Sequence, residues 1–184
     1  MRPPLNHMTI RNVSMDRTYN KPGTNSGLIR KALGGTRGTN VRGPGHHHQG
    51  WDLYAAPNTP AFAIASGRVA KCENHPQNTT KLGRYVTIGF EAPDPISRKM
   101  TTFYALYAHL AAIHVKENTD VKEGAVVGFT GTSGNAAGGP PHLHFAILRK
   151  KYPTTGLGDN VDPGYFLGFY YLNFETLFPN WNRA

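Results

Sequence analysis

Cysteine is almost missing from this chain. Cys72 is the only one in 184 residues, which excludes an internal disulfide and any all-cysteine zinc site. Acidic residues are scarce too, 11 against 20 Lys and Arg, giving a net charge of +9. No run approaches the roughly 20 apolar residues of a membrane span, so no such span is expected. The first 30 residues lack the apolar middle of a secretory signal peptide. A chain that works outside the cytoplasm would then be exported by another route or belong to a longer precursor. There is no internal repeat, and no low-complexity tract apart from His46–His48. Zinc-finger spacing, a helix-turn-helix and an aromatic RNA-binding signature are all absent, so nucleic acid is not an expected partner despite the charge.

What is present divides into three parts. Residues 1–40 are polar and rich in Asn, Gly and Thr, and read as a basic, irregular N-terminal arm with a short helix around Ser26–Leu33. Met1–Gly50 hold eight Lys or Arg against the single acid Asp16, and so carry +7 of the +9. Such an arm concentrates anionic partners such as an acidic cell wall, or is simply solvated. Residues 41–163 form the domain proper. From Trp51 onward, short β-forming runs alternate with turn residues: Ala61–Cys72, Arg84–Glu91, Thr101–Leu110, Ala125–Thr130 and His142–Leu148. The fold class expected is mainly β, a single domain on an antiparallel sheet whose long loops shape a groove. Residues 164–184 hold eight of the chain's aromatics, from Tyr165 to Trp181, and are expected to pack across the sheet.

The chemistry-bearing residues are histidines, of which there are nine. One group reads His48-Gln49-Gly50-Trp51-Asp52, a second His142-Leu143-His144, and a third Tyr107-Ala108-His109 at a strand end. A catalytic zinc takes three protein ligands, neutral imidazole or carboxylate, and keeps a fourth position open. His48 and Asp52, four apart across a glycine, can converge on one ion. On a strand, the period of two puts His142 and His144 on one face and Leu143, Phe145 and Ile147 on the other. No His-Glu-x-x-His motif supplies a glutamate base, so a histidine has to move the proton. His46 and His47 are open between a loop, a supporting role and a competing ligand role. Cys72 lies in a strand-like run with nothing nearby to activate a thiolate, which favours a packing role over a nucleophilic one.

Taken in order, these pieces resemble the lysostaphin-like, LytM-type zinc endopeptidases. The likeness runs from about Leu33 to Pro163. It includes Leu33-Gly34-Gly35 and Arg37, His48-x-Gly50-x-Asp52-Leu53, Tyr107-Ala108-His109-Leu110, Thr130-Gly131-x-x-Gly134-Asn135, Pro141-His142-Leu143-His144-Phe145 and Val161-Asp162-Pro163. The resemblance implies one zinc ion per chain, held by His48, Asp52 and His144, with His109 and His142 as catalytic histidines. It implies hydrolysis of peptides of peptidoglycan in the periplasm or cell wall, at glycine bridges or at stem-peptide cross-links. With no length left for a wall-targeting module, the stem-peptide cross-link is the expected target, and the missing signal peptide fits a delivered antibacterial or lysis factor. An immunity or inhibitor protein would be a fitting partner. The alternative is a catalytically silent or autoinhibited zinc-containing domain that binds or regulates the wall. Two departures stand out: Ala146, where relatives often carry Glu, and an enlarged loop at Asp94-Pro95, expected to shape one wall of the groove.

Overall fold

In a computed structural model of the chain, the residues described are 1–6, 8–10, 50–78, 80–94, 97–152, 160, 161, 163, 166 and 181–183. Twelve strands run through them: β1 (Met8–Ile10), β2 (Trp51–Tyr54), β3 (Pro60–Phe62), β4 (Gly67–Glu73), β5 (Arg84–Pro93), β6 (Met100–Leu110), β7 (Ala112–Ile113), β8 (Asp120–Val121), β9 (Val126–Phe129), β10 (His142–Leu148), β11 (Asn160–Val161) and β12 (Trp181–Arg183). Nine of them make one sheet in the order β12-β1-β2-β10-β6-β5-β4-β8, with β11 paired to β10. A second sheet has the order β3-β9-β7. The mainly antiparallel β architecture expected from the sequence is what the chain adopts.

Alternation builds the core. Trp51 and Leu53 on β2, Leu143, Phe145 and Ile147 on β10, Phe103, Ala105 and Tyr107 on β6, and Val86, Ile88 and Phe90 on β5 all enter one apolar cluster. The opposite face carries a smaller cluster of Tyr85, Leu106, Ala108, Ala146 and Leu148. Strand residues two apart share a face, so His142 and His144 stand on this second face with Ala146. Tyr107 reaches across the main core, where its Oη accepts a hydrogen bond from the Ile64 N–H at 3.0 Å.

Several expectations need correction. Ala61–Cys72 is two strands in different sheets, because the chain leaves the small sheet after Phe62 and joins the large one at Gly67. The Asp94 loop joins β5 and β6 at the Pro93–Met100 end. His109 lies at the far end of β6, so that loop is no wall of the histidine site. Instead Asp94 is locked locally by an ion pair with Arg149. Within the arm, expected to be mostly irregular, Met8–Ile10 pair with β2 and, in parallel, with β12. Leu5 is fully buried, and the Arg2 guanidinium lies 4.1 Å from the centre of the Phe62 ring. Ser26–Leu33 falls outside the described residues. Of the aromatic segment, Phe166 packs edge-on against Phe90 and Phe103.

Candidate active site

Three adjacent strands, β2, β10 and β6, bring four expected site residues together. In the β2–β10 pair, His144 stands opposite Asp52 and His142 opposite Tyr54. In the β10–β6 pair, His144 also stands opposite Ala108. Asp52, His109, His142 and His144 are all buried. His144 Nδ1 lies 3.1 Å and His142 Nε2 3.7 Å from Asp52 Oδ1. The His109 ring is centred 5.0 Å from that of His142 and 5.7 Å from that of His144.

His109 reaches this face through a β-bulge. Arg84 pairs with Leu110 and Val86 with Tyr107, so Tyr85 alone faces both Ala108 and His109. Strict alternation from Tyr107 would aim His109 into the apolar core. The extra residue re-aims it, with His109 at φ 62°, a region costly for a residue with a Cβ. Leu110 then resumes the core face. The bulge is held at both ends of His109: its N–H donates to the Leu82 carbonyl at 3.0 Å, and its Nδ1 meets the Ser133 carbonyl at 2.9 Å.

A carbonyl only accepts, so the proton on that contact belongs to Nδ1, leaving Nε2 with its lone pair. The same logic applies to His142, whose Nδ1 lies 2.9 Å from the Pro140 carbonyl. Its Nε2 is buried and has no hydrogen-bond partner among the described residues. Burial first, and then the neighbouring imidazoles of His144 and His142, push the His109 pKa down to about 3. The protein by itself therefore holds His109 neutral near pH 7.

Two residues that the sequence reading had not singled out complete the geometry. Tyr54 stacks on His142, ring centres 5.1 Å apart and planes inclined by 25°. Ser133 Oγ ties the wall behind His109 together, donating to the Leu110 carbonyl and accepting from the Arg84 N–H, both at 2.9 Å. Gly50, already within the His-x-Gly-x-Asp pattern, has a steric reason to be glycine. A Cβ there would lie 2.6 Å from the Phe145 carbonyl oxygen and 3.0 Å from His144 Nε2.

The donor set suits a divalent ion such as zinc. Two ligand atoms bound tetrahedrally at the usual zinc distances are about 3.3 Å apart, close to the Asp52–His144 separation. The buried Nε2 of His142, with no hydrogen-bond partner among the described residues, suits a further polar group at the site. Among the described residues no three His, Cys, Asp or Glu side chains form a metal-holding group. The third ligand expected, His48, lies outside the described residues, as do His46 and His47.

With that geometry in view, comparison with known proteins is informative. Residues 46–163 match Peptidase family M23, and the chain belongs to that family. Glycyl-glycine endopeptidase ALE-1 of Staphylococcus capitis is 31% identical over 115 residues, covering 62% of this chain and 28% of that protein. Peptidoglycan DD-endopeptidase ShyC of Vibrio cholerae is 34% identical over 101 residues, covering 55% of this chain and 20% of its own length. The chain thus spans less than a third of either relative. The catalytic domain of lysostaphin from Staphylococcus simulans shares the fold, with a TM-score of 0.53 at 24% identity, over 68% of this chain and 82% of that domain.

Proposed function

We propose that this chain is a zinc-dependent endopeptidase that hydrolyses peptide cross-links of bacterial peptidoglycan, in the periplasm or cell wall. The observation that carries the proposal is the convergence of Asp52, His109, His142 and His144 on one sheet face of a family M23 chain. His48, Asp52 and His144 would hold the ion, within a catalytic unit spanning residues 41–163. ALE-1 and ShyC are both named as endopeptidases, and ShyC's name specifies peptidoglycan, which supports the substrate class. A stem-peptide bond of the D-Ala–diaminopimelate type is the cross-link proposed.

Zinc bound there would supply Lewis acidity, polarising the scissile carbonyl and making water nucleophilic near neutral pH. The remaining work falls to the protein. Nε2 of His109 and of His142 carry lone pairs on the side of the cluster, so one can take the proton of the attacking water. The same pair can return a proton to the departing amine. Asp52 supplies the negative charge that offsets a cation among buried imidazoles. The Ser133 and Pro140 carbonyls fix which nitrogen of each imidazole carries the hydrogen. Tyr54 limits how the His142 ring can turn.

The test is digestion of purified peptidoglycan by zinc-loaded protein, with muropeptides analysed by mass spectrometry beside His144→Ala and with metal content measured. Loss of cross-linked dimers in favour of monomers, abolished together with metal binding in the variant, is the expected result. One bound zinc with an unchanged digest would overturn the catalytic reading and leave a wall-binding domain.

A further inference from the structure

The face that carries the histidines continues along β6 to a concavity. It is a cleft of about 520 Å³ lined by Ser66, Arg68, Gly89, Glu91, Thr102, Tyr104, Asn118 and Lys151 among others. That size is within the range of about 300–1,000 Å³ typical of small-molecule sites. Tyr104 shares a face with Leu106 and Ala108 by the strand period, and Leu106 and Ala108 pack with Ala146 below the histidines. Tyr104 and His109 are five positions apart on β6, about 17 Å of extended strand.

The floor of the cleft is a glycine. Gly89 pairs with Arg68 on one side and Tyr104 on the other. A Cβ at Gly89 would come within 3.1 Å of Tyr104 Cε1 and 3.4 Å of Cδ1, so the ring lies over bare backbone instead of standing clear of a side chain. The lining also includes Glu91, whose carboxylate accepts a hydrogen bond from the Thr102 hydroxyl, Asn118 and Lys151, with the Lys151 ammonium 5.4 Å from the centre of the Tyr152 ring. The charges are balanced. Arg68 is paired with Asp120 at 2.9 Å, and Glu91 and Lys151 are of opposite sign. A cleft without a dominant charge selects against phosphate or a polyanion and suits a neutral, hydroxyl-rich ligand. A pyranose has that character, with a C–H face for an aromatic ring and an equatorial rim of hydroxyls and amides for polar side chains.

We infer that this cleft binds a sugar unit of the glycan strand, an N-acetylated pyranose, while the histidine cluster engages the peptide attached to that strand. The inference rests on the wall-hydrolase reading for the identity of the sugar, and on the cleft alone for there being a site. It makes the enzyme read two chemically distinct parts of one polymer.

The probe is a β-1,4-linked trimer of N-acetylglucosamine, titrated into the full chain and followed by amide NMR shifts. Shifts should gather at Gly89, Tyr104 and Asn118 and leave the amides of His109 and His142 unmoved. Tyr104→Ala and Asn118→Gly should each weaken binding at least tenfold. Asn118 sits at φ 65°, which glycine accepts without strain, so the second variant tests the side chain in an intact fold. On intact sacculi both variants should raise KM, and on sugar-free cross-linked peptide they should match the parent protein. Absence of shifts in the cleft, displacement of the trimer by inorganic phosphate, or unchanged affinity in both variants would overturn the inference. If the trimer binds and the wall is not cut, the cross-link reading fails while the cleft stands. If the wall is cut and the cleft ignores the trimer, the cleft inference alone fails.

Discussion

Tyr54 and His142 face each other across the β2–β10 ladder, and their rings stack at 5.1 Å. His142 is otherwise anchored at Nδ1 by the Pro140 carbonyl and flanked by the His109 ring, and the phenol ring restrains its rotation on the Tyr54 side. An aromatic pair of this kind is worth about 0.5–1.5 kcal/mol beyond burial. Tyr54→Ala should therefore lower kcat by up to about tenfold, with zinc stoichiometry unchanged, whereas Tyr54→Phe should stay near the parent value. Equal losses in the two variants would assign the effect to the hydroxyl instead of the stack.

Gly50 should tolerate no side chain. The first obstacle to a Cβ is the Phe145 carbonyl oxygen at 2.6 Å, a backbone atom of a central strand that cannot swing aside. Overpacking costs about 1–3 kcal/mol, and any relief by moving β10 displaces His144. Gly50→Ala is expected to lower the urea midpoint and weaken zinc binding together. A fall in stability with unaltered zinc affinity would show that β10 absorbs the strain without moving its histidine.

At His109 the backbone and the side chain can be tested separately. The left-handed region costs an ordinary residue about 1–2 kcal/mol, while glycine, and to a lesser degree Asn, enter it readily. His109→Gly and His109→Asn should therefore be more stable than His109→Ala by about 1 kcal/mol, although all three should lose wall hydrolysis. Equal stability of the alanine and glycine variants would mean that the bulge relaxes once the imidazole is gone.

Tyr107 offers a readout remote from the histidines. Its oxygen is the acceptor for the buried Ile64 N–H, and burial raises its own ionisation well above the usual phenol range. Tyr107→Phe leaves that N–H without its acceptor, at a cost of about 1–3 kcal/mol, with the metal site intact. Chemical denaturation of both proteins, with zinc content measured in parallel, checks this.

Cys72 should behave as an inert thiol. Burial first, then the Glu117 carboxylate, raises its pKa above the ordinary thiol value, so thiolate is scarce at pH 8 and grows only as the solution becomes more alkaline. Alkylation at pH 8 should be slower than that of a free thiol, and wall hydrolysis should survive Cys72→Ser. Fast labelling at pH 8 would contradict the packing role.

Legibility in the sequence followed the local rules. His142 and His144 could be placed on one face because a strand has a period of two, and Leu143, Phe145 and Ile147 duly line the core. The Asp52–His144 contact could be anticipated only as convergence, since register between β2 and β10 is a long-range property. The approach of His109 was visible as a histidine at a strand end, but its direction was not. A bulge depends on how Tyr85 pairs with a strand nearly 25 positions away. Trp51–Tyr54 was not recognised as a strand because four residues containing an aspartate give too short a pattern. The partition of Ala61–Cys72 was hidden for a related reason: Ala63–Ser66 is as apolar as its flanks, and only tertiary contacts show where one sheet ends. Tyr54 carried no motif, and its part in the site is set by the residue across the ladder.

Because β2, β10 and β6 lie side by side within the large sheet, Asp52, His144, His142 and His109 belong to its interior strands, not to its margins. Fraying at a sheet edge leaves such strands paired, and their amides exchange with solvent only through the rarest openings of the molecule. Asp52 and His144 would then keep their mutual placement until the sheet itself opens. A chelator that strips the ion would leave those donors in place, and the stripped protein would be expected to take zinc back without refolding.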